Sequence, residues 1–442
     1  MLKGRLCKIL AVSLAMTLAG LSLHAQDGAY TGFTPYSIFG VGDIFTQGSA
    51  YNKSMGGVGI ATRNRRYINY LNPASITARD SLAFMADMSV SQDNRYFRQG
   101  DMTSANNTFN VNSITISVPL FYPSSALLVG IAPYSSTGYR YSYILEDPQV
   151  IGNTGNAVYY SAGNGGTYQV FASAAVTLWK RLSLGVEGRV LFGNIDKENV
   201  FSFTKSAYSN INSGHSLVLR GNSAKLGLQY EQPVGKGNTI GVGATYSTST
   251  KLRGTVEDYR ISVGSSQSDT LRFSRDTLGK TTGGVNIPSE VGVGISFNHS
   301  DNWRAEINYS RSDWTRSGMD VAKGFAVKGS SYFDTRVSQT YRAGFEIVPN
   351  RNDIRYYYKK CTYRAGAYYK QAGFEVDGDQ IKDMGLTLGI SLPVFQYYNA
   401  VTFAVALGQR SSDVGNLIRE RYVNFTLGFN FHDMWFRKFT YR

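Results

Sequence analysis

Long apolar runs are nearly missing from this chain of 442 residues. After Leu23 no stretch approaches the roughly 18 apolar residues of a helical span, so a helical membrane domain is excluded. Cysteine is almost absent as well. Cys7 lies within the first 25 residues and Cys361 stands alone after them, so no internal disulfide framework is available. Of the four histidines, His24 lies in the leader, and His215, His299 and His432 form no i, i+4 pair and flank no Gly-x-Ser-x-Gly turn. Zinc-helix and nucleophile-elbow chemistry therefore have no support, and neither an enzyme, a metal nor a cofactor is expected. Asp269 and Asp276 sit in a polar stretch and read as loop solubilisers, not as a cation site. The formal charge is +14, yet the cations are scattered, with only short runs such as Arg63-Asn64-Arg65-Arg66. That distribution speaks against nucleic acid and fits contact with an anionic membrane surface.

The amino end carries Lys3, Arg5 and Lys8, then apolar residues from Ile9 to Leu23, then Ala25 before Gln26. This order predicts a secretory signal over 1–25. The remainder is rich in strand formers and turn residues, with 31 Tyr, 24 Phe and 47 Gly in the whole chain.

Period-two alternation runs through it. Ile114, Ile116 and Val118 alternate with Ser113, Thr115 and Ser117; Val291, Val293, Ile295 and Phe297 alternate with Glu290, Gly292, Gly294 and Ser296. Leu386 to Leu392 and Val423 to Phe431 repeat the pattern, which puts one series on each face of a strand. Fourteen strands are expected, near 82–92, 109–120, 126–143, 167–179, 182–194, 217–232, 239–252, 289–299, 303–314, 336–347, 361–371, 382–392, 400–409 and 421–431. Connections alternate in length. Lys180-Arg181, 233–238 and 300–302 are short, whereas 144–166, 195–216, 253–288 and 315–335 are long and polar. Only 348–360 breaks the alternation. An even strand count with short turns on one side and long loops on the other predicts an all-β, closed antiparallel transmembrane β-barrel. It would lie in the cell outer membrane with both termini periplasmic. Cys361 opens a strand and reads as a small apolar filler.

The polar face of these strands is charged. Glu187 and Arg189, Lys225 and Gln229, Arg304 and Glu306, Arg342 and Glu346, and Arg364 and Lys370 share the inward parity. Charge at membrane depth must face a polar lumen, so Glu187, Arg189, Arg304, Glu306, Arg342 and Arg364 are expected to form a bracing lumen network.

Residues 26–81 do not pattern as strands. They carry Met55-Gly56-Gly57-Val58-Gly59-Ile60-Ala61 and Asn72-Pro73-Ala74-Ser75, and the lumen is where Ile60, Tyr67, Ile68, Tyr70 and Leu71 could be buried. No Gly-Lys-Ser/Thr follows the glycines, so they are not a phosphate loop. Gly56, Gly57, Asn72, Pro73 and Ala74 resemble the N-terminal hatch motif of the FadL-type long-chain fatty-acid transporters, and the tail at 417–442 resembles a divergent branch of the same family. The resemblance implies a fourteen-strand barrel over 82–442 plugged by a hatch at 26–81, with the Asn-Pro-Ala turn as a hatch support. It also implies passive uptake of small hydrophobic molecules such as long-chain fatty acids, released sideways beside a kinked strand.

On this reading an apolar pocket near the outer end would be walled by Tyr139, Tyr141, Tyr159 and Tyr160. The partners would be outer-membrane lipid and lipopolysaccharide together with a hydrophobic ligand. A second expectation is a structural or accessory subunit of an outer-membrane protein assembly or secretion complex, with other outer-membrane proteins or lipoproteins as partners. Trp435, Phe436 and Phe439 would then be docking residues.

Overall fold

The computed structural model describes residues 30–79, 83–120, 124–146, 148–205, 207–235, 237–264, 268–300, 302–327, 332–394, 398–412 and 417–434. The expected signal at 1–25 and the aromatic tail residues Trp435, Phe436 and Phe439 lie outside the described residues.

A two-residue strand, β1 (Asp43–Ile44), precedes the wall. The wall begins with β2 (Ala83–Gln99), β3 (Met102–Pro119) and β4 (Ser125–Ser136), which β5 (Tyr139–Leu145) continues outward. Next come β6 (Ala157–Leu178), β7 (Leu182–Phe203), β8 (Asn210–Gly235) and β9 (Asn238–Ser247). On the outer side follow β10 (Thr250–Lys251), the hairpin β11 (Arg253–Val263) and β12 (Ser268–Thr277), and β13 (Asn286–Ile287). The circuit continues through β14 (Glu290–His299), β15 (Trp303–Asp313), the short β16 (Phe333–Thr335) and β17 (Val337–Ile347). It ends with β18 (Thr362–Val376), β19 (Asp379–Pro393), β20 (Ala400–Ser411) and β21 (Arg419–Met434). Every wall pairing is antiparallel, and β21 pairs with β2 from Met434–Ala83 to Arg419–Arg98, which closes a barrel of fourteen strands. Closure pairs the first wall strand with the last, as a spanning sheet requires.

The parity expected from sequence is the parity observed. Ile114, Ile116, Val291, Val293, Ile295, Leu386 and Leu388 point outward and are exposed, while Ser113, Thr115, Ser117 and Ser296 are buried toward the lumen. The long outer connections differ from expectation. Much of 144–166 and 195–216 is strand, because the β6–β7 ladder stays in register out to Ala157–Phe203 and β8 alone runs 26 residues. A bilayer needs about 9–11 residues per strand, so this part of the wall projects well beyond it.

Residues 30–79 descend through the barrel. Thr34 bonds Glu420 at the outer end, Gly56 bonds Thr387 at mid-height, and Arg63 reaches Glu231 near the periplasmic turns. The described chain thus starts in the outer half, at Tyr30. The last strand runs inward to Met434, toward the periplasmic side, as expected. Strand parity fixes where the wall strands end; it says nothing about the route taken before the wall begins.

Candidate functional site

In its lower half the inner segment is seated on glycine. A Cβ on Gly227 would stand 2.1 Å from Oδ1 of Asn72, one on Gly185 2.4 Å from the Ala74 nitrogen, and one on Gly366 2.2 Å from the Gly56 nitrogen. These wall glycines share the inward parity of Glu187, Lys225 and Arg364, so backbone meets backbone where any side chain would intrude. Asn72 caps the 3-10 turn Pro73–Ala78 by accepting from Ala74 N–H at 3.0 Å. Its amide also donates to the carbonyls of Ile60 at 2.8 Å and, on the wall, of Leu228 at 3.1 Å. Gly56 and Gly57 both hold positive φ in the tight turn after the short helix Ala50–Lys53, and Gly56 N–H donates to the Thr387 hydroxyl.

The charged residues divide by partner. Arg189 pairs with Glu187 at 2.5 Å, and Arg364 pairs with Glu346 at 2.7 Å while its guanidinium lies 4.6 Å from the ring centres of both Tyr51 and Tyr67, which are stacked on each other. Arg304 and Glu306 turn to the inner segment instead. Arg304 donates to the Tyr51 hydroxyl and the Arg63 carbonyl, and Glu306 accepts from Ala61 N–H and the Thr62 hydroxyl. Arg342 and Lys370 have no carboxylate within 4 Å among the described residues. Near the outer end Asp43 sits 3.1 Å from Arg410 and 3.6 Å from Arg95, and Arg95 is 3.2 Å from Glu420. This clamp ties β1 to β2, β20 and β21.

Between the glycine seat and the outer cap lies a cavity of about 230 Å³. Its apolar walls include Phe39, Phe333, Phe374 and Trp314, with Arg342, Lys370 and Glu290 on the polar side. The cap above is tightly packed. Val41 joins Leu191, Leu217, Leu252, Met319 and Phe325 in one buried cluster, and Phe39 stacks on Phe333 at 4.2 Å.

One interval of the wall is not laddered. β3 pairs with β4 only from Ile114–Ile131 to Pro119–Ala126, although β3 continues outward beside β2 to Met102. The register between β2 and β3 shifts at Ser89/Val90, leaving Asn112 as the extra residue, and its amide turns inward to the Gly48 carbonyl at 3.1 Å. A bulge re-aims a side chain and interrupts pairing in this way. Across the opening β4 carries Pro133, which has no N–H to donate, and β4 then pairs with β1 through Ser135 and Ser136. Residues 30–34 fill the seam. The Thr31 carbonyl accepts from the Asn110 amide at 3.1 Å, Thr34 N–H donates to the Gly138 carbonyl at 2.8 Å, and Phe33 packs on Phe97.

None of the four tyrosines expected in a pocket lines this cavity. Tyr139 is buried, and Tyr139, Tyr141 and Tyr159 form a chain of ring contacts with centroids 6.2 Å apart at each step. Tyr160 lies on the opposite face of β6 from Tyr159. Two signals in the sequence mark this geometry: glycines such as Gly185, Gly227 and Gly366 at inward parity, and Pro133 inside a strand.

A closed circuit of antiparallel strands with an apolar exterior and a charged lumen filled by the chain's own preceding segment defines an outer-membrane β-barrel. Within that class the chain belongs to the BamG family, whose profile matches residues 6–442. No curated protein matches it in sequence. Solved structures match by fold. The Ralstonia pickettii toluene transporter TbuX superposes with a TM-score of 0.58 at 15% identity, covering 87% of this chain and 98% of that one. A Pseudomonas aeruginosa FadL homologue gives 0.60 at 10% identity, with 88% and 99% covered. The Pseudomonas putida toluene transporter TodX gives 0.57 at 12%, with 89% and 100% covered. The expected FadL-type architecture is therefore present, and at these identities the likeness concerns fold alone.

Proposed function

We propose that this protein admits small hydrophobic molecules across the outer membrane, holding them in the lumen cavity and releasing them sideways between β3 and β4. The observation that carries this reading is the open ladder above Ile114, closed not by wall strands but by residues 30–34 and 43–48 of the inner segment. The cavity lies behind β1, and β1 pairs with β4 beside the seam, so displacing this short stretch would join cavity to bilayer. In this role residues 30–79 act as a hatch whose lower half is fixed and whose first residues move. Arg342 and Lys370 suit a carboxylate head, which favours an amphiphile such as a fatty acid over a plain hydrocarbon. At about 230 Å³ the cavity falls below the roughly 300 Å³ where drug-sized sites begin, so a long acyl chain would require the cap to shift.

The test compares uptake of radiolabelled oleate and of toluene by cells producing wild type or Ala372→Trp, which fills the cavity. Uptake lost in the variant is expected; equal uptake by variant, wild type and cells without the protein overturns the reading.

A second reading, an accessory subunit of an outer-membrane protein assembly or secretion complex, is favoured by the hatch itself. Its lower half is bonded to the wall by buried polar groups on many strands, which suits a rigid scaffold better than a moving gate. Extraction in mild detergent separates the two. A stable protein partner with no uptake supports the scaffold, and a lone barrel carrying a lipid-like molecule supports uptake.

A further inference from the structure

The connection 348–361 is the long exception on its side of the barrel, where its counterparts 179–181, 236–237 and 300–302 are tight. It is also firmly built. Asn350 N–H donates to the Lys359 carbonyl at 2.9 Å and closes the loop. Asp353 accepts from the backbone N–H of Tyr356 at 2.7 Å and of Arg355 at 2.9 Å, with Lys359 3.4 Å away. Two hydrogen bonds then fasten the loop to the outside of the wall. The Tyr357 hydroxyl donates to the Pro393 carbonyl at the end of β19, and the Tyr363 hydroxyl donates to the Tyr358 carbonyl. Tyr363 precedes Arg364, whose side chain is buried in the lumen, so strand parity turns Tyr363 toward lipid.

While Arg351 at the loop's start turns to Glu346, its middle, from Ile354 to Tyr358, therefore lies toward the lipid-facing surface. Its exposed groups suit that place. Ile354 is 96% exposed, and Tyr357 and Tyr358 more than half so. Beside them Phe297, Trp303 and Phe345 form a run of ring contacts at the periplasmic ends of β14, β15 and β17. Tyr and Trp belong at the membrane–water boundary, where one end of the side chain is wet. The charge on this part of the loop is one-sided: Arg355, Lys359 and Lys360 against Asp353. Both Arg355 and Lys359 lie over the Tyr356 ring, at 5.2 and 4.7 Å from its centre.

We propose that loop 348–360 is a binding site for the headgroup of an anionic phospholipid in the inner leaflet, with Arg355 and Lys359 at the phosphate and Ile354 among the acyl chains. Cations near an anionic leaflet and an apolar wedge at the acyl boundary act together there. The continuity with the outward aromatic run decides for lipid over a periplasmic protein.

Native mass spectrometry of the full-length protein, exchanged into micelles containing phosphatidylglycerol or phosphatidylcholine of equal chain length, tests this. Wild type is expected to retain phosphatidylglycerol about fivefold better, and R355E/K359E to retain the two equally. Equal retention by wild type, or an undiminished preference in the variant, overturns the proposal. Loss of a co-purifying periplasmic protein from the variant with lipid preference intact also overturns it, in favour of a protein contact. Should R355E/K359E fail to give the heat-modifiable band of a folded barrel, R355Q/K359Q and I354S carry the same comparison, with a drop in preference expected from each.

Discussion

The two halves of the lumen are filled by different means. Below, the inner segment rests on inward-facing glycines, and its carbonyls and amides are bonded to the wall through Asn72, Gln229, Glu306 and Arg304. Above, side chains meet across a cavity, and the segment is held by the ionic clamp at Asp43, a strand pairing of two residues and separate hydrogen bonds that join Thr31, Thr34, Tyr36 and Ile38 to the wall. Backbone-to-backbone seating leaves no slack, because a buried polar group that moves must lose its partner. Side-chain packing around a void tolerates displacement. The fold therefore puts rigidity at the periplasmic side and adjustability beside the seam.

Substitutions should break this contrast in graded fashion. Arg364→Met leaves Glu346 buried without its cation and should cost about 3–5 kcal/mol, whereas Arg342→Met removes a cation with no carboxylate in contact and should cost less than about 1 kcal/mol. Urea titration of the gel-shift transition distinguishes them. Gly227→Val drives a branched side chain into Asn72 and Pro73 and should cost about 3 kcal/mol, against less than about 0.5 kcal/mol for Gly188→Ala, whose added Cβ meets nothing within 4 Å. In the upper half, Asn110→Ala frees the Thr31 carbonyl and should cost about 1 kcal/mol while speeding amide exchange in residues 30–34. The smallest effect concerns Asp353. The Tyr356 N–H, then Arg355 N–H and Lys359, hold its carboxyl below the ordinary aspartate range. A lowered carboxylate stabilises the folded loop at pH above its unfolded value, and that contribution fades as pH falls through the lowered value. Proteolysis at 348–360 should thus stay constant from neutral pH to about 4 and rise below it.

Much of this was legible in the chain. Alternation such as Val291-Gly292-Val293-Gly294-Ile295 reports lipid on one side, and charges at the same parity as Glu187 report the lumen. Asn72-Pro73 announced a turn that needs a fixed neighbour, and the neighbour is the wall at Leu228. What stayed hidden depends on contacts between distant segments. Gly185 and Gly227 look like ordinary strand glycines until the inner segment is laid against them. Tyr141 and Tyr159 suggest a pocket, but their strands stay paired beyond the bilayer and the rings pack along that ladder instead. Pro133 could have marked the seam, since a residue without an N–H inside a strand implies a missing partner.

Hydrogen–deuterium exchange on the detergent-solubilised barrel tests the central contrast most directly. Amides of residues 54–76 should exchange at least about tenfold more slowly than those of residues 30–44. Uniform protection along both stretches, or faster exchange in the lower one, would contradict a plug that is fixed below and yields above.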